Sequence, residues 1–344
     1  MTADDLSSWA EHAASASSED GRTKVLYILG STRTGSGILA RILSTIEGTV
    51  YAGELRRLYS RGLRPDRTCS CGRQREECPV WSKLLVPGAS YLEPSLDELR
   101  RIQEQASPDR HPWIAALRYL RRSSPPSANT AAGRYLAAYS DLHHAFADVT
   151  GSPVVINSSK TPADAALLPL APELTVVCIH MVRDPRAVAF SMQRHAEKTS
   201  GLRSHIMAVV AAARWLTRQV SSELVRKRYG PDRWLSVRYE RFVDDPAPTV
   251  EAVAKMLGSS PPLAEIAPGI PITVPEAHGP DGSRWRRFVG TEVTLRSDDR
   301  WRNELGTLDR FLVTLLTIPV LHRYGYTIRT RGSEAASEND RVRR

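Results

Sequence analysis

Lys24-Val-Leu-Tyr-Ile-Leu29, followed at once by Gly30-Ser31-Thr32-Arg33-Thr34-Gly35-Ser36-Gly37, decides the fold. The first six residues are an apolar run of strand length, bounded by a glycine turn, and read as a buried strand. Residues 35–46 carry helical periodicity, and 49–52 read as a second short strand. A glycine-rich turn between a buried strand and a helix is where backbone N–H groups and a helix N-terminus converge on an anion. Such a turn also occurs without a ligand, and Arg33 in mid-loop favours the ligand. A nucleotide-hydrolysing loop would end in Lys followed by Ser or Thr, to neutralise phosphate and hold magnesium. Those two places are Ser36 and Gly37 here, so the turn keeps an anion cradle, lacks the metal-holding hydroxyl and suits a donor handled without magnesium.

Outward from this unit the pattern continues. Residues 54–127 form a less regular helical insert, read as a lid or acceptor subregion, with a capping box from Ser95 to Glu98 and a break at Ser123-Ser-Pro-Pro-Ser127. Helix 130–149, strand 154–158, a short helix from Pro162 and strand 174–182 follow. Asp184-Pro185 opens the next helix, and a long helix from Ser204 stops at Gly230. Strand 234–239, helix 248–257, an irregular Pro-rich stretch over 259–300 and an apolar helix from Thr307 complete the order. Alternating strands and helices predict an α/β fold with a mostly parallel β-sheet flanked by helices. Residues 23–330 read as one domain, with loosely ordered tails at 1–22 and 331–344.

The 344 residues are 41% apolar, enough for a sizeable core. No run reaches membrane-spanning length and the first residues lack the order of a signal peptide, so a cytoplasmic chain without an integral membrane segment is expected. Lys and Arg (47) exceed Asp and Glu (38), which favours anionic partners in general. No nucleic-acid-binding signature accompanies that charge, so a nucleic-acid partner is not expected. Cys178 lies in an apolar strand and reads as core. Cys69, Cys71 and Cys78 offer three thiols with no nearby fourth Cys or His at usual spacing, so the expectation is free thiols or one local disulfide and no metal.

Gly30 to Gly37 after a strand resembles the 5′-phosphosulfate loop of sulfotransferases that use 3′-phosphoadenosine 5′-phosphosulfate, in which Arg or Lys stands where Arg33 stands. Val182-Arg183-Asp184-Pro185-Arg186 with Ser191 is similar to that family's 3′-phosphate motif. Ser158-Ser159-Lys160, Tyr239-Glu240 with Asp245-Pro246, and the Cys-Ser-Cys-Gly to Cys-Pro-Val-Trp81 stretch found in bacterial relatives agree with it. The resemblance spans about 24–326. It implies a P-loop-like sheet and transfer of a sulfuryl group from this donor, with no metal required, to a hydroxyl or amine of a small-molecule or carbohydrate acceptor. It leaves the acceptor's identity and the oligomeric state open.

The resemblance also assigns roles. Ser31, Thr32, Arg33, Thr34, Gly35, Ser36 and Gly37 would cradle the 5′ end of the donor. Arg183 and Ser191 would grip the 3′-phosphate, Ser191 standing about 10 Å along the helix axis from Asp184. Tyr239 would lie beside the adenine, and Arg286 and Arg287 would close over the 3′-phosphate. Arg33 and Lys160 would be the catalytic cations and Glu54 the general base, with His278 in reserve. His143, His144 and His322 fall in helical stretches and read as structural or exposed. Two departures stand out: Gly37 replaces a common hydroxyl residue, and the closing loop lacks an Asn-Pro pair. The competing readings are a small-molecule kinase on a P-loop fold, which predicts magnesium-dependent ATP binding, and a non-catalytic nucleic-acid-binding protein, which predicts strongly salt-dependent binding.

Overall fold

In the computed structural model, Thr23–Gly30 forms strand β1, buried along its whole length. The structure describes residues 22–328 except 63–67, 87, 94, 110, 196–200, 262–265, 267 and 281–286. The two tails read from the sequence therefore lie outside the described residues, Arg22 apart. Alternate side chains of β1 enter different cores. Val25, Tyr27 and Leu29 pack on one face, and Leu26 and Ile28 on the other. A strand covered on both faces belongs in the middle of a parallel sheet.

That is its place. With β2 (Thr49–Tyr51), β3 (Val154–Lys160), β4 (Leu174–Val182) and β5 (Trp234–Arg238), it forms a sheet of order β2-β3-β1-β4-β5. All four pairings are parallel, as the alternation of elements predicts. The chain builds β2 and β3 on one side of β1, then β4 and β5 on the other. The direction of winding thus reverses at β1, and in sheets of this kind ligands bind outside the carboxyl ends of the strands at that reversal.

Helices Ser36–Leu43 and Ala247–Leu257 cover one face, with Leu39, Leu43, Val250 and Val253 in the core. Helix Ala131–Thr150 and the end of the long helix Leu202–Tyr229 help cover the other. The insert joins this second core: Trp81, Leu99 and Ala116 are buried in the same cluster as Val25. Its helix Leu96–Ala106 starts after Ser95 as expected, but the Ser95 side chain makes no capping bond. Asp97 and Glu98 still place negative charge on the helix's positive end. Within the stretch read as irregular, Ile272–Thr273 pairs antiparallel with Glu292–Val293. Among the described residues, no helix is long and apolar enough to cross a membrane.

Candidate active site

The turn after β1 is shaped by two left-handed residues. Arg33 has φ 66° and Gly35, the N-cap of helix Ser36–Leu43, has φ 86°. The Thr34 hydroxyl donates to the Ser31 carbonyl at 2.8 Å, which closes the turn on itself. The helix has no side-chain cap and no acidic residue in its first turn. Its first N–H groups and the positive end of its dipole are thus left for an anion. Ser31, Thr34 and Ser36 are buried, Arg33, Gly35 and Gly37 are half-buried, and Thr32 is exposed.

The tip of β4 lies against this turn, because β1 and β4 pair up to Gly30 and Met181. Arg183, just past β4, donates to the Arg33 carbonyl at 3.1 Å and to the Asp298 carbonyl at 3.4 Å. Its guanidinium carbon stands 4.4 Å from the centre of the Tyr239 ring. Arg183 Nε is buried with no hydrogen-bond partner, a donor that an anionic ligand would satisfy. The Tyr239 ring also lies on Gly35, where an added Cβ would come within 2.5 Å of it. Glu240 fixes the same tip: its carboxylate accepts from the Asp184 N–H at 3.1 Å and from the Tyr326 hydroxyl at 2.7 Å. Burial raises the Glu240 carboxyl above the ordinary range. A cavity of about 320 Å³ opens beside it, lined in part by Asp184, Ser297 and Trp301.

A β-bulge re-aims the tip of β3. The register with β1 runs Tyr27 to Asn157 but Leu29 to Lys160, so β3 holds one extra residue there. Asn157 shapes it: its Oδ1 accepts from the Ser159 N–H at 3.0 Å and from the Ser159 hydroxyl at 2.6 Å. Lys160 then takes φ 64°, and Arg218 of the long helix donates to its carbonyl at 3.0 Å. Arg33 and Lys160 are the two non-glycine residues with positive φ among the described residues. Strain of this kind concentrates at functional sites.

Lys160 Nζ donates to Glu54 Oε1 at 2.6 Å and to the Ser158 carbonyl at 2.9 Å. Arg57 Nε donates to the other Glu54 oxygen at 2.6 Å. Burial alone would raise the Glu54 carboxyl, but Lys160 and Arg57 outweigh it and hold the carboxyl below the usual range. Burial lowers the Lys160 ammonium, against the pull of Glu54. Lys160 thus ends β3, and Glu54, Arg33, Arg183 and Tyr239 each follow one of the other four strands, all at carboxyl ends.

The sequence profile of the sulfotransferase family matches residues 26–261. The chain belongs to the sulfotransferase family. Solved structures similar to this sulfotransferase include the sulfotransferase domain of the Synechococcus PCC 7002 olefin synthase, at 18% identity and TM-score 0.44, covering 90% of this chain and 97% of that one. The sulfotransferase domain from the curacin biosynthetic pathway is 14% identical with TM-score 0.47, covering 89% and 99%. A sulfotransferase from Alicyclobacillus acidocaldarius is 15% identical with TM-score 0.42, covering 89% and 96%. No curated protein sequence matches the chain.

Other residues of the sulfotransferase expected at the site lie on other elements or outside the described part. Ser191 is half-buried on helix Pro185–His195. Arg287 is exposed, and Arg286 lies outside the described residues, as do Arg284 and Trp285. His143 is buried between the Tyr139 carbonyl and Asn157, and burial lowers it to about 4. His278 meets the thiols: its Nδ1 is 3.4 Å from Cys78 Sγ. The expectation of three thiols without a fourth ligand is therefore revised. The thiols do have a fourth partner, distant in sequence and invisible to a spacing argument. Sequence reading also passed over Arg57, Arg218 and Asn157, which hold Glu54 and Lys160. Asn-Ser-Ser at a strand end was the available signal for the bulge.

Proposed function

We propose that the enzyme moves a sulfuryl group from 3′-phosphoadenosine 5′-phosphosulfate to a hydroxyl, less readily an amine, of a carbohydrate or natural-product acceptor in the cytoplasm, with no metal in the transfer. The observation that carries this reading is the convergence of Arg33, Glu54, Lys160, Arg183 and Tyr239 on one edge of the sheet. The turn 30–37 would receive the 5′-phosphosulfate on its helix N-terminus, with Arg33 beside it. Arg183, with Nε lacking a partner, suits the 3′-phosphate, and Tyr239 suits the base.

Sulfuryl transfer needs in-line attack and neutralisation of charge on the leaving oxygen. Glu54 would take the acceptor's proton as the new S–O bond forms. Lys160 has three N–H groups, two of them engaged with Glu54 and Ser158. The third would meet the oxygen on which negative charge collects as the old S–O bond breaks. The test is calorimetric binding of 3′-phosphoadenosine 5′-phosphate against ATP, each with and without magnesium. The bisphosphate should bind without metal and more tightly than ATP, and Arg183→Ala should weaken it by about 10- to 100-fold. Tighter magnesium-dependent binding of ATP would instead favour the kinase reading.

A further inference from the structure

Cys69, Cys71, Cys78 and His278 meet at one point although the histidine follows Cys78 by 200 residues. Their three sulfurs and one ring nitrogen all lie within 4.8 Å of one another. Cys69 Sγ is 3.6 Å from Cys78 Sγ, and His278 Nδ1 is 3.4 Å from Cys78 Sγ and 3.9 Å from Cys69 Sγ. A tetrahedral zinc ion at ordinary bond lengths would separate two sulfurs by about 3.8 Å and a sulfur from a nitrogen by about 3.6 Å. We propose that these four side chains hold one structural zinc ion, which clamps the insert to the 272–280 segment beside Glu54.

The donor set fits zinc. Thiolates and an imidazole without a carboxylate select a soft or borderline metal over magnesium or calcium. Four protein ligands close the coordination sphere, the mark of a structural rather than a catalytic ion. The backbone is already shaped for thiolates. The Cys71 N–H donates to Cys69 Sγ, and the Trp81 N–H to Cys78 Sγ, each at 3.5 Å. Gly72, at φ 94°, completes the turn after Cys71, with its N–H on the Cys69 carbonyl.

Charge and connectivity point the same way. Three thiolates on a dication leave one negative charge, and the fully buried Arg41 guanidinium is there to meet it. Arg41 donates to the Ser70 carbonyl at 3.2 Å, between two of the cysteines, and to the Pro275 carbonyl on the histidine's segment. Partners of this kind orient metal ligands. Arg41 belongs to the helix that begins at the donor turn. Trp81 Nε1 donates to the His278 carbonyl at 2.6 Å, the His278 N–H to the Tyr51 carbonyl at 3.1 Å, and the Ser70 N–H to the Gly279 carbonyl at 3.1 Å. Gly53 and Gly279 touch so closely that a Cβ on Gly53 would come within 2.5 Å of the Gly279 Cα. The clamp therefore reaches the residue before Glu54.

The experiment uses the full chain expressed with zinc and analysed for metal by mass spectrometry. About one zinc per chain is expected, and Cys78→Ser and His278→Ala should each lower it at least tenfold. Exchange of the wild-type metal for cobalt(II) should give a thiolate-to-cobalt charge-transfer band and tetrahedral d–d bands. That readout does not depend on the variants folding. Wild-type protein with only trace zinc, a cobalt spectrum without the thiolate band, or folded variants with unchanged zinc would overturn the proposal. Metal content and spectrum are read without donor or acceptor, so they stand apart from the sulfuryl-transfer reading, on which only the role beside Glu54 rests.

Discussion

Lys160 and Glu54 form a preformed ion pair at 2.6 Å, so the proposed cation and the proposed base titrate as one unit. The carboxyl is held below its ordinary range and the ammonium is lowered as well. Activity should therefore form a plateau whose acid limb lies below the ordinary glutamate range and whose alkaline limb lies below the ordinary lysine range. Glu54→Gln should remove the acid limb and lower kcat by about 10²- to 10⁴-fold. Stability follows the same sign: the depressed Glu54 carboxyl contributes above its unfolded pKa, and that contribution is lost as pH falls through the folded value. Initial rates and urea midpoints across pH check both limbs. An acid limb unchanged in Glu54→Gln would remove Glu54 from the base role.

Gly35 carries two constraints at once. Its φ is 86°, and a Cβ would come within 2.5 Å of the Tyr239 ring. Gly35→Ala should cost about 1–3 kcal/mol in urea unfolding and abolish detectable bisphosphate binding. Tyr239→Ala in the same chain removes the collision but leaves the backbone strain. The double variant should thus be less destabilised than the sum of the two single changes. Simple additivity would mean that the ring moves aside freely.

The strands were legible because β1 and β4 are apolar runs buried on both faces, and burial of that kind leaves a continuous signature. Asp184 was likewise readable as a cap, and its Oδ1 accepts from the Arg186 N–H at 2.9 Å. Residues following strand ends could be proposed because they are fixed by local order. His278 could not be placed with the thiols, since its partner is set by a loop crossing the end of β2, and loop paths carry no periodicity. The Lys160 backbone was missed for a related reason: its bulge is stabilised by Asn157, and a polar side chain inside a strand looks like an ordinary strand end. Ser95 erred the other way, as the motif is present and its side chain makes no capping bond.

Arg56 and Asp164 make a buried pair at 3.4 Å that ties the insert to helix Pro162–Leu167, just past β3. Arg56 also donates to the Ser107 hydroxyl at 2.9 Å and the Ser107 carbonyl at 2.6 Å, at the end of helix Leu96–Ala106. Burial raises the Asp164 carboxyl despite Arg56, whereas the Arg56 guanidinium is pushed up by Asp164 against its own burial. The attraction thus offsets desolvation only in part at Asp164 and more than offsets it at Arg56. Asp164→Asn leaves the buried Arg56 with only the exposed Asp109 as counter-charge and should cost about 3–5 kcal/mol. Adding Arg56→Met should recover part of that loss in urea unfolding. A loss below about 1 kcal/mol for Asp164→Asn would show that water reaches the pair.

Arg33 separates strain from chemistry. A non-glycine residue held at φ 66° costs about 1–2 kcal/mol relative to an ordinary conformation. Glycine adopts that angle without the penalty, although its unfolded chain is more flexible. Arg33→Gly should leave stability unchanged or raise it by up to about 1 kcal/mol. The same change removes the cation proposed to sit beside the 5′-phosphosulfate, so kcat should fall by about 10²- to 10³-fold. Arg33→Ala should lose as much activity while keeping the strain, so its stability should fall below that of Arg33→Gly. Urea midpoints and rates measured on the same preparations test the pair. If Arg33→Gly loses stability along with rate, the left-handed arginine is part of the scaffold and its strain is balanced locally rather than held for the donor.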